Sequence, residues 1–422
     1  MPSLDQLKSE PVFFFSDVAI SAGGSGAAMR VYTNLRAYAD LGFRIELIHF
    51  SDPAQAEVAL DLPDGPIQLT RTARAARALS GPLQRLVYRL GFPREALLDA
   101  RFPIREAVKA QVRPRLERHP NAIFHFEYDD FASAAVSFRG MNSVWSNHDL
   151  TSLREPMIWA MRDLQGGRAA HKPPRDLQLR RIRQIEDEMA RACRLILNIA
   201  AHEHDIFAHE RGYQQAVLFP MSWPDEAPVP RTRPWKDGGR LRLLHLGSVG
   251  GFIGFESLRF ILTEVLPLLP EAALNQIEVW VAGAEGAPFY SQQIHQLAAG
   301  YPQVKFMGFS ADLRALYGQV DLQIVGGQRA GGLRTRIIES MVYGVPVLST
   351  REMAKGLTHL EDGVNILLAD DAVAYAEILT RLCIGGPDLS AIARNARSVY
   401  DRFYSRKVCA DTLAQNLERR MT

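Results

Sequence analysis

Twice along this chain, short apolar runs that suit buried strands alternate with longer segments of helical spacing. The two series are separated by PMSWPDEAPVPRTRPWKDGGR at 220–240, where prolines cluster and apolar periodicity stops. Strand and helix in alternation build a parallel sheet, because parallel neighbours need a crossover and a helix supplies it. The Pro- and Gly-rich stretch reads as a linker. At 422 residues the chain also exceeds what one hydrophobic core supports. Two open α/β, Rossmann-like domains in series follow, spanning 1–225 and 241–400 with a linker at 226–240.

In the first series VFFFSDVAI (12–20) reads as a strand, GGSGAAMRVYTNLRAYADLG as a glycine turn and helix, and FRIELIHFS as the next strand. Residues 71–118 carry twelve Arg or Lys against four acids with Leu, Val and Tyr at helical spacing, which reads as a basic helical insertion. AIFHFEY (122–128) and SVWSNHDL (143–150) resume the strands. In the second series LRLLHLGS, IEVWVAGAEG, VKFMGF and VDLQIVGG are strands between helices. Ligands of such sheets sit beyond the carboxyl ends of the strands, which directs attention to the loops after Val18, Leu246, Val281, Phe306 and Val325.

A formal net charge of +2 gives no global reason to expect nucleic acid as a partner. Cys193, Cys383 and Cys409 contain no CxxC pair, which argues against a disulfide framework or a zinc site and fits a reducing, cytoplasmic compartment. No run reaches the roughly 18 to 20 apolar residues that span a bilayer, so any membrane contact is expected to be peripheral.

Several constellations carry chemistry. GGSGAAMR (23–30) places Gly24 and Gly26 between a strand and its helix, where backbone N–H groups face an anionic or sugar ligand; a tight turn without ligand is the plain alternative. Its spacing is not GxGxxG, and Asp52 lies further along than a dinucleotide fingerprint needs. HLGSVGGFIG repeats the device at Gly247 and Ser248. In GGLRTRIIES, Arg334 and Arg336 stand at the mouth of a helix whose dipole already favours an anion; without one, each opposes the dipole by about 0.3 to 1 kcal/mol. Glu339 is either their salt-bridge partner or an acceptor for ligand hydroxyls. His148 ends a strand and can donate to a ligand or serve structure. His202, His204 and His209 suggest a metal, but residues two apart on a helix diverge, so no metal site is assigned. Asp129 and Asp130 read as a loop or cap feature.

These residues resemble those of GT-B glycosyltransferases, specifically the retaining family 4 group in its GTRxKxxE-like form. The resemblance rests on LGSVGGFIGFESLRFILTEVLP, VKFMGFSADLRALYGQVDLQIVGG and above all GGLRTRIIESMVYGVPVLST with GLTHLEDGVNILLADD. It covers essentially the whole chain, strongly after about residue 240. It implies two domains facing across a cleft, with a closing helix at 401–422 returning to the first domain. It further implies that Glu339 holds a nucleotide ribose, that Arg334 and Arg336 lie near a diphosphate, and that Gly247 and Ser248 form the turn beneath it. Met307, Gly308 and Phe309 would read the base, Gly24 and Gly26 would approach sugar and phosphates, and His148 would contact the donor sugar. Gly332 and Thr335 belong to the same implied donor-binding set. One departure is Gly331, where many members carry a glutamate that contacts the transferred sugar.

The function implied is retaining sugar transfer from a nucleoside-diphosphate sugar to a glycan, lipid-linked or small-molecule acceptor held by the first domain. His148, Arg334 and Arg336 would act in it, with no metal or other cofactor and no nucleic-acid partner. The alternatives are a nucleotide-sugar epimerase of the same shape and a degenerate scaffold that binds sugar nucleotide or glycan. Segment 71–118 holds an anionic acceptor, lies on an acidic membrane surface, or is a solvated helical face.

Overall fold

The computed structural model describes residues 3–21, 25–51, 60–74, 86, 90, 94–164, 174–223, 227–229, 239–329 and 331–421. The chain divides into two compact units, Met1–Pro224 with Arg406–Thr422, and Asp225–Ser405.

The first unit is built on β1 (Val12–Ser16), β2 (Ile45–Ser51), β3 (Ile67–Ala73), β4 (Ile123–Glu127), β5 (Asn142–Asn147), β6 (Leu195–Asn198) and β7 (Ala216–Leu218). They lie in the order β3-β2-β1-β4-β5-β6-β7, and every adjacent pair is parallel. Strands β1, β4 and β5 are buried at every position. A strand covered on both faces has no polar face to alternate with, which is why VFFFS reads as a nearly continuous apolar run.

Strand β3 corrects the sequence reading. Segment 71–118 was expected to be helical, yet Arg71 to Ala73 continue a sheet edge whose residues alternate between half-buried and exposed. Thr70 and Thr72 are β-branched and suit that edge, and the Thr70 hydroxyl donates to Glu46 Oε1 at 2.8 Å. The segment turns helical at Arg94–Arg101 and Arg105–Arg118, while residues 75–85, 87–89 and 91–93 lie outside the described residues. Some of its basic charge is neutralised internally. Buried Arg105 pairs with Glu95 and Asp99, each at 2.5 Å, and Arg115 pairs with Glu46 at 2.5 Å.

The chain returns to this unit at its end. Helix Arg406–Arg420 buries Cys409, Ala410, Leu413 and Leu417 and packs on helix Gly26–Asp40. The Arg406 guanidinium grips Asp40, with Nε 2.5 Å from Oδ2.

The second unit contains β8 (Leu241–Leu246), β9 (Ile277–Ala282), β10 (Val304–Gly308), β11 (Leu322–Val325), β12 (Val347–Thr350) and β13 (Leu367–Ala369). The order is β10-β9-β8-β11-β12-β13, again parallel throughout. Residues 227–229, inside the expected linker, pack on this unit: Val229 N donates to Tyr343 O at 2.9 Å.

Candidate functional site

An open parallel sheet has a crevice where strand order reverses, beyond the carboxyl ends of the two strands that flank the reversal. In the second unit that point lies between β8 and β11, and in the first between β1 and β4.

Strand β8 ends at Leu246, and the chain turns at Gly247 with φ of +136°. A Cβ at Gly247 would come within 2.7 Å of Arg336 Nη2. Only a bare backbone admits the guanidinium there. The turn is tied to its neighbours: Gly247 N donates to Ala282 O at 2.9 Å, and Gly283 N donates to Gly308 O at 2.8 Å. The ends of β8, β9 and β10 therefore form one surface. Gly308 has φ of +69°, and beside it Met307 and Phe309 stand 45% and 78% exposed. These apolar side chains form a shelf at the edge of the sheet.

Helix Thr335–Tyr343 follows β11 and closes the other side. It stops in a Schellman arrangement, with Gly344 left-handed at φ 72° and Val345 N donating to Ser340 O at 2.9 Å. Arg334 occupies its N-cap without a side-chain cap bond, and the Arg334 guanidinium donates to the carbonyl of Gly331. Arg336 Nη1 lies 3.4 Å from His245 Nε2. Burial, and then Arg336, drive the His245 pKa well below its usual value, which keeps this imidazole neutral. Burial, and then Arg334, lower the Arg336 guanidinium to about 10, still cationic at neutral pH. Glu339 is 4% exposed, and its Oε1 has no hydrogen-bond partner among the described residues. Burial raises this carboxyl to about 8 against the pull of Arg336. The site thus holds cations at a helix N-terminus and, one turn deeper, a buried acceptor with nothing to accept.

The remaining residues singled out in the sequence fall as follows. Ser248 is exposed beside the turn, and Thr335 opens the helix after left-handed Gly332 (φ 63°). Gly24 lies outside the described residues. Gly26 is the first residue of helix Gly26–Asp40, whose cap Ser25 accepts from Ala28 N at 3.3 Å.

In the first unit His148 follows β5 and is 7% exposed. Its Nε2 lies 2.5 Å from Glu127 Oε2, and its ring stacks on Tyr128 with centroids 3.8 Å apart. Glu127 was not picked out from the sequence. It is fully buried at the end of β4, and its Oε1 accepts from Asn34 Nδ2 at 2.7 Å and from His125 Nε2 at 3.0 Å. Burial acts to raise its pKa, but the hydrogen bonds from His125 and His148 outweigh it and hold the carboxyl far below the usual range. Because Glu127 is ionised, both imidazoles donate to it. His125 Nδ1 is left to accept from the Tyr38 hydroxyl at 3.2 Å.

Asp129 and Asp130 prove to be first-turn residues of helix Tyr128–Ala132. Among the described residues, His204, Asp205 and His209 bring one ligand atom each within 4.8 Å of one another. The pair weighed in the sequence was His202 with His204. The π turn at Ile206–Glu210 is what carries His209 round to His204.

Residues 242–384 match the family described as glycosyl transferases group 1. That match lies wholly within the second unit. Each unit is a parallel-sheet, Rossmann-like domain, and the chain matches solved glycosyltransferase structures of the GT-B class. HepE of Anabaena, solved in complex with UDP, is 16% identical with a TM-score of 0.65 over 97% of this chain and 100% of that one. Sucrose-phosphate synthase of Thermosynechococcus elongatus is 16% identical with a TM-score of 0.69 over 97% and 98%. WaaG, a glycosyltransferase involved in lipopolysaccharide biosynthesis, is 16% identical with a TM-score of 0.59 over 96% and 98%. Among curated proteins none matches the chain by sequence. Among the described residues no helix is long and apolar enough to cross a membrane.

Proposed function

We propose that this chain is a group 1 glycosyltransferase that transfers a sugar, with retention of anomeric configuration, from a nucleoside-diphosphate sugar held by the second unit to an acceptor hydroxyl held by the first. The observation that carries this reading is Glu339. A buried carboxylate oxygen without a partner costs free energy unless something donates to it, and the two hydroxyls of a ribose are suited to do so. One turn away, Arg334, Arg336 and the helix N-terminus suit the diphosphate of the same molecule. The shelf of Met307 and Phe309 suits the flat base. HepE, whose solved complexes include UDP and UDP-glucose, supports a nucleotide sugar as the donor class.

In the proposed step the bond from the anomeric carbon to the diphosphate oxygen breaks, and a bond from that carbon to the acceptor oxygen forms on the same face. The acceptor proton passes to the departing diphosphate. Negative charge grows on that leaving group, and Arg334 and Arg336 meet it with charge-assisted hydrogen bonds of roughly 1.5 to 3 kcal/mol each. This supply of positive charge from the protein underlies the proposal that no metal is needed. His148, fixed by Glu127, positions the donor sugar.

Thermal shift against UDP-, GDP-, ADP- and dTDP-sugars tests the reading, since a ligand that binds only the folded state raises its apparent stability. One sugar nucleotide should raise the melting temperature, and Arg336→Ala should abolish the shift. An unchanged shift and turnover in Arg336→Ala would remove the diphosphate role. Donor hydrolysis without acceptor distinguishes the alternatives: slow hydrolysis for a transferase, epimerised donor for an epimerase, neither for a scaffold.

A further inference from the structure

Beyond the carboxyl ends of β4 and β5, the first unit has a pocket of about 130 Å³ that none of the roles above uses. Its apolar lining is Phe102 and Tyr128, and its polar lining includes Asp130, Asp149, Arg101 and Arg154. Tyr128 joins the pocket to the machinery already described, because its ring stacks on His148. It holds φ of +63°, a left-handed conformation that is strained for a non-glycine residue, and its ring lies between the imidazole and the pocket.

The polar groups are unevenly committed. Arg101 is engaged by Glu155 at 2.6 Å, while Arg154 Nη2 donates to Thr151 Oγ1 at 3.4 Å and its Nη1 approaches Asp149 at only 3.9 Å. Arg154 Nε is buried with no partner, and the Asp130 carboxylate makes no hydrogen bond among the described residues. Deeper in, Thr151 donates to Asp129 Oδ2 at 2.5 Å. Burial raises the Asp129 carboxyl to about 7 despite that bond, so near neutral pH it can donate as well as accept. The pocket therefore offers both an acceptor and a donor without partners, next to aromatic surface.

Charge decides what such a pocket takes. The acids Asp130 and Asp149, with Asp17 nearby, face Arg101, Arg154 and the Asp17-bound Arg74 (2.9 Å). There is no excess of positive charge for a phosphate, and a dianion would meet carboxylates already resisting burial. A hydroxylated ring suits every part: hydroxyls donate to Asp130, accept from Arg154, and leave apolar C–H faces for Phe102 and Tyr128.

Resting on the transferase reading above, we propose that this pocket is the acceptor subsite and that it takes an uncharged sugar ring, such as the terminal residue of a neutral glycan, rather than a phosphorylated acceptor. Saturation-transfer NMR on the full chain tests it directly, with methyl glucoside, methyl galactoside and methyl mannoside as neutral probes and glucose 6-phosphate as the anionic one. At least one methyl glycoside should receive saturation, glucose 6-phosphate should receive none, and Asp130→Asn should weaken the binding about tenfold, as expected for a hydrogen bond to a charged group. Arg154→Gln should do the same and serves if the first variant does not fold. Saturation of glucose 6-phosphate alone, of no probe, or unchanged in both variants overturns the proposal. A donor thermal shift measured in parallel reads the second unit and so separates failure of the donor reading from failure of this one.

Discussion

His148 Nε2 and Glu127 Oε2 lie 2.5 Å apart, both buried, at the ends of adjacent strands. The carboxylate fixes which imidazole nitrogen carries the proton and leaves Nδ1 as the other functional atom. Glu127→Gln would place an amide among three donors, from Asn34, His125 and His148. On the transferase reading, turnover should fall about tenfold or more, and stability should drop by about 1 to 3 kcal/mol for the mismatched buried group. A pH–rate profile altered in the variant separates the role on His148 from the loss of stability.

Gly247→Ala is expected to weaken donor binding and, independently, to strain the fold. The added methyl would come within 2.7 Å of Arg336 Nη2, at a backbone φ of +136°. The far end of a long side chain can retreat from that contact, so the protein should remain folded while the cation leaves the turn. Donor affinity by calorimetry should fall about tenfold, the equivalent of about 1.4 kcal/mol, and the ligand-free protein should separately lose about 1 to 3 kcal/mol of stability to the strained backbone.

Glu339 predicts two opposite pH trends. Burial raises its folded-state carboxyl to about 8 from an ordinary 4.5, so between those values the folded state binds the proton that the unfolded chain has released. Stability of the empty protein therefore declines through this group as pH climbs from 4.5 to about 8. Glu339→Gln should remove that decline, visible as a melting temperature that holds up better than wild type toward pH 8. Donor binding should run the other way. Ribose hydroxyls favour the carboxylate, so affinity should tighten as pH rises toward 8 in wild type and stay flat in the variant.

Chelation gives a fourth test. If Arg334 and Arg336 meet the leaving diphosphate, transfer should continue at full rate in excess EDTA. A strict requirement for added Mg²⁺ or Mn²⁺ would place the needed charge elsewhere.

The helix mouth was legible because its residues are neighbours in sequence. GGLRTRIIES states the turn, the cations and Glu339 in one line, and local spacing on a helix fixes their relation. His245 was not legible as the partner of Arg336, since 91 positions separate them and only the register of β8 beside β11 joins them. Glu127 was hidden for a related reason. An acid at the end of IFHFE reads as the limit of a strand, and only the pairing of Glu127 with Ser146 sets it next to His148. Strand β3 escaped because its half-exposed edge lacks an apolar run and opens into a stretch rich in arginine. The gathering of His204 with His209 depended on a local π turn that nothing in AAHEHDIFAHE announces.

The Arg406–Asp40 grip spans 366 positions, which gives the two units different histories during synthesis. Everything in Asp225–Ser405 emerges as one continuous stretch, so that unit can finish folding as soon as it clears the ribosome. The other unit has its last strand by Leu218 but must wait for Cys409, Leu413 and Leu417 to cover helix Gly26–Asp40. At a translation rate of about 5 to 20 residues per second, the intervening 181 residues (405 − 225 + 1) impose a delay of roughly 10 to 35 seconds. During that interval an apolar groove on the nascent chain stands open to chaperones. The half begun first is thus the half completed last.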